Sequence, residues 1–72
     1  IHVWPYEDAI DVVEQSGNWV QRHHIHNWRY LGTWCSRSKY TSAVDHQQFD
    51  LDTYKILVKP IMLGAVNIEP HV

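Results

Sequence analysis

The stretch WVQRHHIHNWRYLGTWCSRSKY, residues 19–40, decides the fold prediction, because a strand or a helix there gives two different molecules. A helical period would place Val20, His24, Trp28 and Leu31 on one stripe, and a strand period would place His24, His26 and Trp28 on one face. Neither period is clean. The β-branched and aromatic content favours strands, so we expect this stretch to form the centre of a sheet.

The flanking segments predict one helix and two further strands. Glu7–Gln15 has acidic residues in its first turn and apolar residues on one side, as in an amphipathic helix. Tyr54–Val58 alternates as a strand does, and Ile61–Ile68 forms a second strand after the interruption at Pro60. The predicted fold class is therefore α+β, with one N-terminal amphipathic helix packed on an antiparallel sheet of three or four strands. A length of 72 residues predicts a single small domain over 1–72, as a whole protein, a fragment or a small subunit of a larger assembly.

Composition restricts the compartment of the protein and its class. The single cysteine, Cys35, excludes an internal disulfide, which favours an intracellular, reducing compartment. No apolar run is long enough to cross a membrane. The net charge of -2 conceals an asymmetry, because residues 19–40 contain no Asp or Glu whereas the flanking segments are acidic. Such an asymmetry indicates a charged binding surface.

The acid-free segment also concentrates the residue types that dominate protein interfaces, namely Trp, Tyr and Arg. We therefore expect a binding or assembly module that contacts a protein partner, or a second copy of the chain, through residues 19–40. Single-stranded nucleic acid is the alternative, because cations neutralise phosphates and aromatic rings stack on bases. The candidate partner-binding residues are Arg22, Trp28, Arg29, Tyr30, Trp34, Arg37, Lys39 and Tyr40.

The histidines suggest a second alternative, a small zinc-binding domain. On a strand, His24 and His26 share one face. Cys35 and His46 could complete a set of four nitrogen and sulfur donors of the kind that zinc accepts. The spacing matches no zinc finger, and neither CxxC nor HExxH is present. Zinc is accordingly the one cofactor that we consider, as an alternative to none.

The sequence HHIHN at residues 23–27 resembles the histidine-led opening of HNH-type nucleases. In that family a first histidine activates water and a metal ion steadies the phosphate. No later Asn-then-His element follows at a matching position. We therefore expect a non-enzymatic protein and assign no catalytic residue.

Overall fold

The computed structural model describes residues 1–38, 40–43 and 48–72. Five strands form one antiparallel sheet in the order β4-β3-β2-β1-β5, and one helix lies between β4 and β5 in the chain. The strands β1 to β3 form a meander, and β5 returns to pair with β1. The elements are β1 Ile10–Ser16, β2 Trp19–His26, β3 Arg29–Cys35, β4 Tyr40–Ala43, α1 Leu51–Met62 and β5 Asn67–Pro70.

Two tight turns connect the central strands. Ser16 pairs with Trp19 across a two-residue loop whose first residue, Gly17, has φ 60°. The loop between β2 and β3 consists of Asn27 and Trp28, with φ angles of 51° and 64°. Positive φ at both central residues is the pattern of a type I′ turn, whose twist matches that of the strands it joins.

The helix α1 is defined by specific groups at each end. The side chain of Asp50 accepts a hydrogen bond from the backbone N–H of Thr53, which makes it the N-cap. At the other end, Gly64 has φ 66°, its N–H bonds the carbonyl of Ile61, and the N–H of Ala65 bonds the carbonyl of Pro60. This pair of bonds is the Schellman arrangement, which satisfies the last carbonyls of a helix.

The core lies between α1 and one face of the sheet. Its buried members come from β1, β2, the β2–β3 turn and the helix; they are Ile10, Ile25, Trp28, Tyr54 and Ile61. The Trp28 ring packs edge-on against Trp4 and Tyr54, at centroid distances of 5.1 and 5.3 Å, and its indole N–H donates to the carbonyl of His2. The other face of the sheet is not covered by the helix.

The predicted N-terminal helix is wrong, because Glu7–Gln15 bends and then enters β1. Ile10 and Val12 point towards α1, and the intervening Asp11 points to the other side. The segment therefore also satisfies a period of two, and its β-branched residues favour a strand. The molecule is α+β as predicted, but its helix follows the first four strands and its sheet has five strands.

The two strands predicted over Tyr54–Val58 and Ile61–Ile68 are also wrong for the most part, since α1 covers Leu51–Met62. Tyr54, Leu57, Val58 and Ile61 have the i, i+3, i+4, i+7 spacing of a helix face, and these residues pack on the core. Pro60 lies inside the helix, near its end. Only Asn67–Pro70, in β5, extends as a strand in this part of the chain.

The preference for strands over residues 19–40 is confirmed by β2, β3 and the backbone of β4. In the described part of the chain, no helix is both long and apolar enough to cross a membrane.

Candidate functional site

The face of the sheet that α1 leaves uncovered is arranged in rows across the strands. One row places Glu69 of β5 beside Asp11 of β1, and Asp11 beside His24 of β2. The next row places Arg22 of β2 beside Trp34 of β3. Directly opposite residues in an antiparallel pair lie on the same face, so these side chains form one continuous surface.

Asp11 is the centre of this surface, although only 4% of the residue is exposed. Its Oδ1 lies 2.6 Å from Nδ1 of His24 and 2.8 Å from Nδ1 of His71. The two imidazole rings lie against one another, with centroids 4.4 Å apart. An ionised carboxylate can only accept, so both rings donate from Nδ1 to the same oxygen. We refer to Asp11, His24 and His71 as the Asp–His–His cluster.

Arg22 holds the other side of the cluster. Its guanidinium lies 3.5 Å from Oδ2 of Asp11 and donates to Oε1 of Glu69 at 2.9 Å. The hydrogen bond to Glu69 is the main cause of the raised pKa of Arg22, which is already above any physiological pH. About one third of the Arg22 side chain, 34%, remains exposed to solvent. A guanidinium carries five donors, so Arg22 retains capacity for a further ligand.

The environment of Asp11 acts on its acidity in two opposite ways. Burial raises the pKa of the carboxyl, because it penalises the charged form. The hydrogen bonds and charges of His24 and His71 act in the other direction and outweigh burial, so the pKa of Asp11 lies below its usual value. Asp11 is therefore an anion at neutral pH, and it attracts cations to this part of the sheet.

A second polar arrangement lies on the opposite face, beside a cavity of about 450 Å³ between the sheet and α1. His23 Nε2 is 2.6 Å from Oε1 of Glu14, and His23 Nδ1 is 2.8 Å from Oγ1 of Thr33. The Tyr30 hydroxyl lies 2.5 Å from the same Thr33 oxygen. The rest of the wall is mainly apolar and includes Ile56. These four polar residues satisfy one another at the end of an apolar cavity.

The structure separates the residues predicted to bind a partner. Trp28 is 3% exposed and belongs to the core, and Tyr30 packs against it. Arg22 and the half-buried Trp34 lie on the uncovered face, whereas Arg29 and Arg37 are exposed at opposite ends of β3. The backbone of Tyr40 begins β4, and Lys39 lies outside the described residues.

The predicted zinc ligands do not converge either. Cys35 pairs with Gln21, three residues from His24, and an odd separation along a strand puts Cys35 and His24 on opposite faces. The His26 ring lies 6.2 Å from that of Trp4, at the end of β2, and His46 lies outside the described residues. His24 is thus the one predicted ligand that the described residues place in a donor cluster, with Asp11 and His71 instead.

Asp11 and His71 were missed because they are 60 residues apart in the chain. Spacing rules for metal sites do not reach across such a distance. The pairing of β1 with β5, which aligns Asp11 with Glu69, brings His71 to the cluster. The only usable sequence signal would have been a strand period at both ends of the chain.

Comparisons with known proteins identify relatives of the chain. A family model for the excinuclease Cho C-terminal domain matches residues 9–71. The chain is 38% identical over 66 residues to the excinuclease Cho of Escherichia coli K12, and the match covers 90% of this chain and 22% of that protein. The protein of the same name from Salmonella typhi is 39% identical over 66 residues, with the same shares covered. No solved structure matches the chain.

The expectation of a non-enzymatic protein is overturned by these matches, because the relatives are named as excinucleases and the family model is that of an excinuclease domain. The residue pattern did not predict this relationship, since it contains no complete nuclease motif. The chain spans about one fifth of the length of these relatives, 22%, and corresponds to their C-terminal domain.

Proposed function

We propose that the chain, which belongs to the family of excinuclease Cho C-terminal domains, contacts nucleic acid as a domain of an excinuclease. The contact surface is the Arg–Trp patch, which we define as Arg22, Trp34 and Arg37. The relationship to proteins named as excinucleases favours nucleic acid over the protein partner that composition alone suggested first.

The observation that carries this proposal is the cross-strand pair of Arg22 and Trp34 on the face that α1 does not cover. An open sheet face with an aromatic ring beside a guanidinium suits a nucleic-acid strand, because the ring can stack on a base while the donors that Arg22 does not use on Asp11 and Glu69 meet a phosphate. Trp28 and Tyr30 contribute to folding instead, since both lie on the helix side of the sheet.

Arg37 is included in the patch because it follows Trp34 by three residues, just beyond the end of β3. It is exposed and lies in the turn that follows Cys35. The turn is tied to β2 by two hydrogen bonds, from the N–H of Ser36 to the carbonyl of Val20 and from the N–H of Val20 to Oγ of Ser36. A guanidinium on such a fixed turn meets a phosphate at a lower entropic cost than one on a loose loop.

The test compares two charge-removing substitutions, Arg37→Gln and Lys55→Gln, in binding to a single-stranded oligonucleotide and to its duplex. Lys55 is exposed on α1, in the layer opposite the patch, and is the matched control. One phosphate contact contributes a salt slope of about 0.7–0.9, so losing it at about 0.1 M salt weakens binding roughly five- to eightfold. We expect that loss for Arg37→Gln and none for Lys55→Gln.

Tryptophan fluorescence supplies the second measurement. Oligonucleotide should quench the emission, and Trp34→Phe should remove most of the quenching. Trp4 and Trp28 pack against each other at the core, and Trp19, an odd-numbered position of β2 like the buried Ile25, lies on the helix side of the sheet. Equal effects of the two charge substitutions, together with quenching that persists in the Trp34→Phe variant, would refute the Arg–Trp patch as the contact surface.

A further inference from the structure

We propose that the Asp–His–His cluster binds one divalent metal ion, and that its donor set selects zinc. Among the described residues, only these three form a group of potential ligands whose donor atoms all lie within 4.8 Å of one another. The proposal concerns the uncovered face but does not depend on nucleic-acid binding.

The geometry is close to that of a metal site. Two donors that are each about 2.1 Å from a tetrahedral zinc ion are about 3.4 Å from each other. The Nδ1 atoms of His24 and His71 lie 2.6 and 2.8 Å from the Asp11 oxygen. Each of these two distances must therefore increase by less than about 1 Å to admit an ion. His71 can make this adjustment, because its side chain is 41% exposed and lies just beyond β5.

The donor chemistry matches zinc better than calcium or magnesium. Two imidazole nitrogens and one carboxylate oxygen suit a borderline transition metal, whereas the harder cations prefer oxygen donors only. Three protein ligands leave the fourth tetrahedral position for water or another ligand. A metal ion would take the place of the two Nδ1 protons that now form hydrogen bonds to Asp11, so each imidazole would bind the ion through a deprotonated Nδ1.

The surrounding charges favour a cation. Asp11 and Glu69 contribute two negative charges against one positive charge on Arg22, since all three lie within the ion-pair network described above. The Arg22 guanidinium also holds Oδ2 of Asp11, which orients the carboxylate so that Oδ1 faces the two imidazoles. Such outer partners fix the direction of a ligating group and commonly affect metal affinity.

The other described histidines near the sheet are less suited to bind an ion. Both ring nitrogens of His23 are already engaged, by Glu14 and Thr33. His26 lies on β2 two residues after His24 and packs beside Trp4. His26 therefore serves as a control, because it is a histidine of the same strand outside the cluster.

The experiment titrates the protein, freed of metal with a chelator that is then removed, with Zn²⁺ in a calorimeter and with Co²⁺ in a visible-absorption cell. We expect one equivalent of metal per chain, and for Co²⁺ the visible bands of a tetrahedral ion. His71→Ala should weaken binding at least about tenfold, which is about 1.4 kcal/mol. The fold of this variant is checked by circular dichroism, and it should be retained because the backbone bond from His71 to Ala9 does not involve the side chain.

The control is His26→Ala, which should bind one equivalent with the affinity of the unsubstituted protein. Absence of stoichiometric binding would overturn the proposal, and so would an equal loss in His26→Ala and His71→Ala, which would show weak binding by scattered surface histidines. No oligonucleotide is present in these titrations. Failure here therefore leaves the proposed nucleic-acid contact standing, and failure of that contact leaves the metal site standing.

Discussion

The backbone conformation of the turn at Asn27 and Trp28 predicts an exception to the general rule that alanine stabilises a protein more than glycine does. Alanine usually stabilises a strand or helix relative to glycine by about 0.5–1 kcal/mol. Trp28, however, has φ 64°, in the left-handed region that costs a residue with a Cβ about 1–2 kcal/mol. We therefore predict that Trp28→Gly is more stable than Trp28→Ala, by about 1 kcal/mol after the greater chain entropy of glycine is subtracted.

The comparison is informative because both variants lose the same ring. Removing a buried Trp side chain costs about 3–5 kcal/mol, which is a large share of the stability of a small domain. The difference between the two variants contains only the backbone contribution. Urea unfolding measures it, and with a slope of about 1 kcal/mol per molar the midpoints should differ by up to about 1 M. Sucrose can be added to all samples to keep both variants folded at the start of the titration.

Two further pairs of variants control the result. Asn27 is exposed and has φ 51°, so Asn27→Gly should also exceed Asn27→Ala in stability without any loss of core packing. Arg29 is the exposed neighbour on β3 and is not among the residues with positive φ, so Arg29→Ala should exceed Arg29→Gly. If alanine were at least as stable as glycine at both 27 and 28, the left-handed turn would be contradicted.

Two other predictions concern charged groups. Asp50→Ala should lower Tm by a few degrees, because Thr53 loses hydrogen bonds from its N–H and its hydroxyl to the Asp50 carboxylate. These hydrogen bonds from Thr53 lower the pKa of Asp50 from its ordinary 3.8. The stabilisation by the cap is therefore present above that pH and is lost as the pH falls through the lowered pKa of the folded protein. The Tm values of the two proteins should converge in acid, and a Tm difference that does not change with pH would contradict the cap. The backbone N–H of Arg37 is the main cause that lowers the pKa of the Cys35 thiol below its ordinary 9.0. The rate of alkylation of Cys35 by iodoacetamide should therefore reach half its maximum below pH 9.0, and a midpoint at or above that value would contradict the contact.

The strands of the central segment could be predicted because their residue types carry a local preference. Val20, Ile25 and the aromatic residues favour a sheet wherever they pack, so β2 and β3 were expected correctly. The turn between them was not visible. A type I′ turn is normally marked by Asn-Gly, and here Trp28 occupies the glycine position because burial of its ring outweighs the strain of the backbone.

The wrong predictions at the two ends of the chain, a helix where β1 forms and strands where α1 forms, have a different cause. Ile10, Val12 and Val13 satisfy either period over so short a segment, and Tyr54, Leu57 and Ile61 show their helical spacing only once Pro60 is accepted inside a helix. Tertiary packing determines the structure of both segments, and the local sequence carries no information about that packing. The Asp–His–His cluster was beyond prediction for the same reason, since it depends on how the two ends pair.

That pairing has a consequence for the order in which the molecule assembles. The β1–β2–β3 meander is built from short hairpins, whereas β5 must find β1 from far along the chain, with Ile10 opposite Pro70. Contacts between residues distant in sequence tend to form late in folding and slowly, because a long loop must be closed first. As a four-residue edge strand, like β4 at the other edge, β5 is also prone to open locally. The cluster would then exist only while β5 is docked, so amide hydrogen exchange in residues 67–71 should report directly on how often the site is complete.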